Sequence, residues 1–297
     1  MRRVPGRCVW RRSLLRVGGG LAPSSLLWFG VQPAIIECAI NGVTPKSKNP
    51  NVHNHIDLLP GATVEDAVVR YEEGWRPVLA ARPDALIYPT VHFGASTTSY
   101  EHLGPLAAGS LRVGLADPGS LNLGGVDGDG IPTGGFVYAN SYEAIARAFT
   151  ICAEHGLGPS LAIYEPGFLR TTLAWWRAGR LPRGAMLKFY FATERGYLGA
   201  PFGLPPTRLS LDAYLAMLEG CDLPWAVSVV GGDVVASEVA PLALERGGHL
   251  HLGLEFYGGD RTPKNVDLVE EAVALCARFG RPVATPAQAA RILNLPR

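Results

Sequence analysis

The chain alternates short apolar runs with longer segments whose apolar positions recur at the spacing of an α-helix. The runs hold little internal polarity, which is expected of strands in a parallel sheet that helices cover on both faces. Eight runs from residue 34 onward are therefore predicted to be strands, and most of them are followed by a helix. The predicted strands cover residues 34–40, 51–58, 85–91, 111–116, 161–165, 186–191, 225–230 and 249–255.

Capping residues support the helices that are predicted between these strands. Thr63 is a suitable N-cap for a helix over 64–81, because its hydroxyl can accept a backbone N–H of the first turn. Glu65 and Asp66 in that turn complement the positive end of the helix dipole. Glycine follows the end of most of the other helices, as is common where a helix stops. These other helices are predicted over 142–154, 169–178, 211–219, 265–278 and 286–293.

The order of these elements predicts an α/β fold, and eight strand–helix units suggest a closed TIM (β/α)8 barrel. An open doubly wound sheet is the alternative. Against it, no G-x-G-x-x-G follows the first strand, where that fold usually carries its phosphate-binding turn. Only twelve residues separate Ile40 from His53, and they are rich in Pro, Lys and Asn. The barrel is therefore predicted to lack its first outer helix.

The length of 297 residues suits one barrel domain, which is predicted over residues 34–297. Residues 1–33 differ, because six arginines crowd a stretch without acidic residues, before a triple glycine and a short apolar patch. This pattern mimics a targeting peptide, but no small-residue A-x-A cleavage signal follows the patch. We interpret the segment as a disordered or non-native N-terminal extension.

Composition and charge narrow the classes of function. Hydrophobic residues make up 47% of the chain and charged residues 18%, so the chain can build a large core. The net charge of +1 gives no reason to expect a nucleic acid or a strongly acidic partner. No apolar run is long enough to span a membrane. The five cysteines are scattered and form no CxxC pair, which predicts reduced thiols and a cytoplasmic protein.

A pair of histidines is the strongest candidate for chemistry. His53 and His55 stand two apart in a predicted strand, so their side chains point to the same face. Imidazole suits Zn²⁺, and a catalytic zinc typically has three protein ligands and one open position. Glu255 ends the last predicted strand, which barrel closure places beside the first, and it is predicted as the third ligand. The alternatives are surface or core histidines and a solvated loop acid.

Several other polar residues end predicted strands or follow them. Asp57 could orient a ligand imidazole from behind or be an ordinary strand-end acid. Ser120 and Asn122 could bind a substrate by hydrogen bonds or simply tie a turn together. Glu165 could be a catalytic base or a solvated turn residue. His251 shares one face of the last strand with the predicted zinc ligand that follows it.

Several motifs in this chain resemble those of one known family. The sequence of residues 247–255, GGHLHLGLE, resembles the last-strand signature of the β-keto acid cleavage enzymes, the family of the 3-keto-5-aminohexanoate cleavage enzyme. Further blocks similar to that family occur in the same order and extend the resemblance over roughly residues 34–297. They are residues 39–42, 53–56, 119–124, 164–167 and 280–293.

The resemblance implies a fold, a metal and a reaction. It implies a TIM barrel that binds Zn²⁺ through His53, His55 and Glu255. It also implies that a β-keto acid and acetyl-CoA react to give acetoacetate and a new acyl-CoA, in amino acid catabolism. The zinc would act as a Lewis acid on the keto and carboxylate oxygens. A homo-oligomer is implied as well.

The chain departs from the family at residues that concern proton transfer. The family usually has Arg where this chain has His251, and Asp where it has Phe256. Thr44 stands in place of an active-site Glu, and Pro89 in place of a Ser that contacts the substrate, although Thr90 keeps the next position. Metal binding is therefore predicted to carry over, with Thr90 contacting the substrate. His251 is predicted as a replacement base, because an imidazole titrates near neutral pH.

Two alternatives to this enzyme remain open. Phe256 and Thr44 favour a catalytically degenerate barrel that binds zinc or a small acid. A zinc lyase or aldolase that needs no coenzyme A is also compatible with a set of two histidines and a glutamate. The short connection after the first strand is a further departure, because the family has a full helix there. An internal deletion would explain it.

Overall fold

The computed structural model describes residues 31–42, 46–53, 62–93, 98–109 and 111–296, which belong to one compact unit. Its described helices are α1 Val64–Ala81, α2 Leu103–Ala107, α3 Tyr142–Glu154, α4 Pro166–Arg177, α5 Arg208–Met217, α6 Val239–Glu245, α7 Asn265–Arg278 and α8 Pro286–Ile292. Its described strands are β1 Ile36–Cys38, β2 His92–Phe93, β3 Thr98–Ser99, β4 Val113–Ala116, β5 Leu121–Val126, β6 Pro132–Tyr138, β7 Gly158–Ile163, β8 Met186–Ala192, β9 Trp225–Val230 and β10 His249–Leu252.

Six of these strands form a curled parallel sheet at the centre of the fold, in the order β1-β10-β9-β8-β7-β4. The last strand, β10, lies beside the first, and Glu37 of β1 is paired with His251 of β10. Barrel closure predicts this pairing of the last strand with the first. The observed sheet is a half-barrel, and the structure does not show the closed eight-stranded barrel that the sequence suggests.

The described residues of the next two predicted strands, 51–58 and 85–91, are not part of this sheet. His53 makes a single parallel bridge with Asn41, just past β1, and residues 54–61 lie outside the described part of the chain. The described residues 46–52 of the twelve-residue connection agree with the prediction, because they form turns and no helix.

The predicted strand over 85–91 is wrong, since these residues have no regular secondary structure. Backbone groups of this segment bond to side chains instead of to a neighbouring strand. The N–H of Thr90 donates to the hydroxyl of Tyr71 at 3.1 Å, and its carbonyl oxygen lies 2.9 Å from Nε2 of His102. The segment therefore contacts β1 through the Tyr88 side chain, without a ladder of backbone hydrogen bonds.

The helix predictions are largely confirmed. Helices α1, α3 and α7 have the predicted bounds, while α4 and α5 each begin three residues earlier than predicted. Thr63 caps α1 as expected: its hydroxyl accepts from the N–H of Asp66 at 3.1 Å, and its own N–H donates to that carboxylate at 3.0 Å. The pattern did not predict the short helices α2 and α6, or the antiparallel hairpin of β5 and β6.

The glycine-rich sequence of that hairpin, with mostly exposed residues in β6, hides any alternation of apolar and polar positions. None of the helices in the described segments is both long and apolar enough to cross a membrane.

Candidate active site

A cavity of about 560 Å³ lies against the parallel sheet. It is lined by residues of β1, β8 and β10, by the extended segment before β2, and by one side of α1. Most of the lining is apolar, with a few polar groups converging in the middle, as is typical of sites for small molecules. The polar and charged side chains in this lining include Glu37, Tyr88, Thr90, Asp117, Lys188, His251 and Glu255.

Four of these side chains form a connected polar group, which we call the interior network: Glu37, Tyr88, Lys188 and His251. The ammonium of Lys188 donates to Oε1 of Glu37 at 2.9 Å and to the hydroxyl oxygen of Tyr88 at 2.6 Å. The hydroxyl of Tyr88 donates to the same carboxylate oxygen. Nε2 of His251 also lies 3.0 Å from that oxygen.

The parallel sheet brings these residues together from distant parts of the chain. Glu37 and His251 are direct partners in the register of β1 and β10, and Lys188 stands in the middle of β8. Only 5% of the Lys188 side chain is exposed, and 18% of that of Glu37. A buried charge is costly unless it is paired and hydrogen-bonded. The ammonium of Lys188 also lies 4.9 Å from the ring centre of Tyr88, close enough for a cation–π contact.

The charges of the interior network determine the protonation states of Glu37 and His251. Burial alone would raise the pKa of Glu37, but Lys188, His251 and Tyr88 outweigh it and hold that pKa well below its ordinary value. Burial and the nearby Lys188 ammonium lower the pKa of His251, although Glu37 opposes this shift. At neutral pH the carboxylate is therefore ionised and the imidazole is neutral. The pKa of His251 thus lies below that of an ordinary imidazole.

His251 is almost completely buried, with 1% of its side chain exposed. Its ring stacks on Tyr190, with 5.4 Å between ring centres, and Phe256 lies 5.2 Å away on a tilted plane. Its second nitrogen, Nδ1, is buried and has no hydrogen-bond partner among the described residues. Buried polar atoms without partners are uncommon in folded proteins, and each calls for an explanation.

The predicted zinc ligands that the structure describes lie on either side of the end of β1. The N–H of Gly42 donates to the carbonyl of His53 at 2.8 Å, and the N–H of Glu255 donates to the carbonyl of Ala39 at 3.2 Å. A Cβ on Gly42 would come within 2.7 Å of the Leu254 carbonyl oxygen. Only glycine therefore permits this close approach. His53 itself is exposed and does not line the cavity, whereas Glu255 does.

Two further predicted residues, His55 and Asp57, lie outside the described residues, as does Thr44. Across the described segments, no three His, Cys, Asp or Glu side chains are grouped so that they could hold a metal ion. That finding leaves the set of His53, His55 and Glu255 a prediction, because His55 is not among the described residues.

Three predicted residues are not brought to the cavity. The Ser120 hydroxyl accepts from the Asn140 N–H at 2.8 Å and donates to the Asn140 carbonyl at 3.1 Å, so it ties the base of the hairpin. Asn122 is exposed on β5. The carboxylate of Glu165 accepts from the N–H of Gly203 at 2.9 Å and so holds a loop.

Of the predicted substrate and catalytic residues, Thr90 and His251 do line the cavity. Sequence reasoning missed Glu37, Lys188 and Asp117, which share the cavity with them. A single charged residue inside an otherwise apolar strand was the available signal for the first two. Asp117 directly follows β4, and in a barrel the residues that follow the strands often form the active site.

Asp117 is a second buried acid in the cavity. The hydroxyl of Tyr138 donates to its carboxylate, and its N–H donates to the hydroxyl oxygen of Tyr100 at 3.2 Å. Burial raises the pKa of Asp117 to about 6, although the hydrogen bond from Tyr138 opposes this. The folded protein therefore holds the Asp117 proton at a pH where the unfolded chain has already lost it.

Asp117→Asn is expected to remove a pH dependence of stability between about pH 4 and pH 6. Because the folded-state pKa is raised, the wild type loses stability as pH rises through this window, by about 3 kcal/mol for a change from 3.8 to about 6. Asparagine keeps the acceptor for Tyr138 but has no proton to lose. Urea unfolding of both proteins from pH 4 to pH 7 measures the difference, and parallel curves across that range would contradict it.

Comparison with known proteins identifies relatives of the whole domain. A sequence model described as "beta-keto acid cleavage enzyme" matches residues 51–295. The 3-keto-5-aminohexanoate cleavage enzyme of Acetoanaerobium sticklandii is 24% identical over 291 residues, covering 89% of this chain and 99% of that protein. The 3-oxoadipate:acetyl-CoA acetyltransferase of Cupriavidus necator is 27% identical over 289 residues, covering 89% and 96%.

A solved structure, the binary complex of ObcA with oxaloacetate, shares the fold with a TM-score of 0.51 at 12% sequence identity. The match covers 79% of this chain and 57% of that one, so the chain spans little more than half the length of that protein.

Proposed function

The chain belongs to the beta-keto acid cleavage enzyme family, and from this premise we propose that it exchanges acyl groups between a β-keto acid and acetyl-CoA. The bond between the keto carbon and the α-carbon of the acid breaks, and the keto carbon leaves as a new acyl-CoA. The two-carbon remainder joins the acetyl group and is released as acetoacetate. The family match over 51–295 carries this proposal, and the names of both relatives support the substrates.

We propose that His53, His55 and Glu255 hold a zinc ion. The main chains at His53 and Glu255 both contact residues 39–42, which directly follow β1. Two imidazole nitrogens with one carboxylate are a donor set that suits zinc. When bound, the ion supplies a Lewis acid for the substrate's keto and carboxylate oxygens.

His251 is proposed as the base of the reaction. A β-keto acid loses a proton most readily from the carbon between its two carbonyl groups, and a neutral imidazole can accept that proton. The lowered pKa keeps His251 neutral, its side chain lines the cavity, and its Nδ1 is not engaged by any described residue. Thr90, also in the lining, is proposed to contact the substrate.

A closed (β/α)8 barrel is also proposed. The open edges of the described sheet are β1 and β4. The segments around His53 and Tyr88 lie between them in sequence, and each contacts β1 or the residues just after it. These two segments would occupy the two remaining places of the barrel, the second of them without the hydrogen bonds of a regular strand. A cytoplasmic location and a homo-oligomeric assembly stay predictions from the sequence.

The function can be tested on the purified full-length chain supplied with zinc. We expect bound zinc by metal analysis, and acetoacetate release from at least one member of a β-keto acid panel only when acetyl-CoA is present. His53→Ala and Glu255→Gln are expected to lose zinc and turnover, whereas His155→Ala, at another exposed histidine, should lose neither. Acetoacetate release without acetyl-CoA would instead indicate a zinc lyase or aldolase.

One observation favours a second candidate, a catalytically degenerate barrel that binds zinc or a small acid. Phe256 fills the position next to Glu255 with a buried ring that packs on Tyr190, with 4.9 Å between ring centres, and on His251. An apolar ring here cannot take part in proton transfer. Zinc binding without any turnover across the β-keto acid panel would identify this alternative.

A further inference from the structure

The carboxylate of Glu37 is held by three neighbours at one oxygen. Lys188, Tyr88 and His251 all direct a nitrogen or hydroxyl group to Oε1. A carboxylate that receives several hydrogen bonds, one of them from a cation, is strongly stabilised in its ionised form. Glu37 therefore acts only as an acceptor in the interior network.

This arrangement determines which nitrogen of His251 carries the proton. A neutral imidazole has one N–H donor and one acceptor nitrogen. Because ionised Glu37 can only accept, the contact at 3.0 Å requires the proton on Nε2. The lone pair is then on Nδ1, the nitrogen that is buried without a partner among the described residues.

The packing around the ring keeps this orientation. Tyr190 stacks on one side of the imidazole, and Phe256 packs against it from a tilted plane. A rotation that exchanged the two nitrogens would have to displace these rings and give up the bond to Glu37. The charged groups that influence His251 are Lys188, Glu37 and Glu255, and the first two hold each other in an ion pair.

We propose that Glu37 is a positioning residue that fixes His251 with its proton on Nε2 and its lone pair on Nδ1, which makes Nδ1 the proton acceptor of the reaction. A carboxylate that orients the imidazole of a general base is a recurring arrangement in enzymes. The proposal rests on the proposed function for the identity of the reaction. Glu37 on β1 is then the carboxylate partner of the base His251, which lies on the neighbouring strand β10.

Nitrogen NMR of the full-length, zinc-supplied protein with ¹⁵N-labelled histidine tests the assignment. His251→Gln identifies the His251 signals among those of the seven histidines. We expect one tautomer, with the proton on Nε2, from below neutral pH upward. A wild-type spectrum with the proton on Nδ1, or with both tautomers in exchange, would overturn the proposal without the use of any further variant.

The double variant Glu37→Leu with Lys188→Met tests the positioning role in catalysis. It removes the acceptor for Nε2 together with the buried cation, so that no single charge is left unpaired. We expect both tautomers of His251 and a kcat about 10²-fold lower. A folded double variant with unchanged kcat would overturn the proposal.

Failure of the proposed function has a different signature. If the wild type releases no acetoacetate from any β-keto acid, the reaction is wrong, but the NMR spectrum still decides whether Glu37 fixes the tautomer of His251. If the wild type is active and its tautomer is the other one, the positioning role is wrong and the reaction stands.

Discussion

His251→Ala is expected to lower kcat by about 10²–10⁴-fold while the zinc content stays that of the wild type. A positioned general base contributes a rate factor of this size, and alanine leaves no side chain of β10 in the cavity that can accept the substrate proton. The proposed zinc ligands are unchanged in this variant, because His251 is not among them. Steady-state kinetics with metal analysis of the same samples measures both quantities.

His249→Gln is the matched control for that experiment. His249 lies two residues earlier on β10 and is equally buried, but its Nδ1 accepts the N–H of Ile35 at 3.1 Å and it does not line the cavity. We expect a loss of stability in this variant with kcat retained. Equal losses of kcat in both variants would show that the effect of His251→Ala is structural. Normal turnover of His251→Ala would remove this residue from the mechanism.

The sequence pattern predicted most of the helices because the physics that ends a helix is local. The cap at Thr63 and the glycine after α7 are visible in the sequence and need no tertiary contact. The extended segment over 85–91 could not be predicted in this way. Its apolar run is typical of a strand, but its backbone groups bond to the side chains of Tyr71 and His102, which come from helix α1 and from the residue before α2.

The candidate site could likewise be predicted from the sequence only in part. His251, Glu255 and Thr90, which the sequence singled out, all line the cavity, and their roles there stay predictions. The interior network was missed, since it depends on the register that pairs Glu37 with His251 across 214 positions of the chain. A lone acid or lysine inside an apolar run was the only trace of it, and a charge in that position identifies its partner only after the strands are in place.

Lys188→Met is expected to lower the free energy of unfolding by about 3–5 kcal/mol, because it leaves the ionised carboxylate of Glu37 buried without its cation. Methionine fills a similar volume, so the loss reports charge rather than packing. Urea unfolding at neutral pH measures it. The double variant Glu37→Leu with Lys188→Met is the matched control, and we expect it to regain most of that stability, since replacing a buried ion pair by apolar side chains is often neutral or stabilising.

Comparing these two variants separates stability from activity in the interior network. If Lys188→Met is as stable as the wild type, the prediction is contradicted. The ion pair would then be well solvated, although only 5% of the Lys188 side chain is exposed. Recovery of stability without recovery of turnover in the double variant would show that the Glu37–Lys188 pair serves catalysis rather than stability. The tautomer of His251 in that variant then decides whether the loss comes from Glu37, as proposed, or from Lys188, whose side chain also lines the cavity.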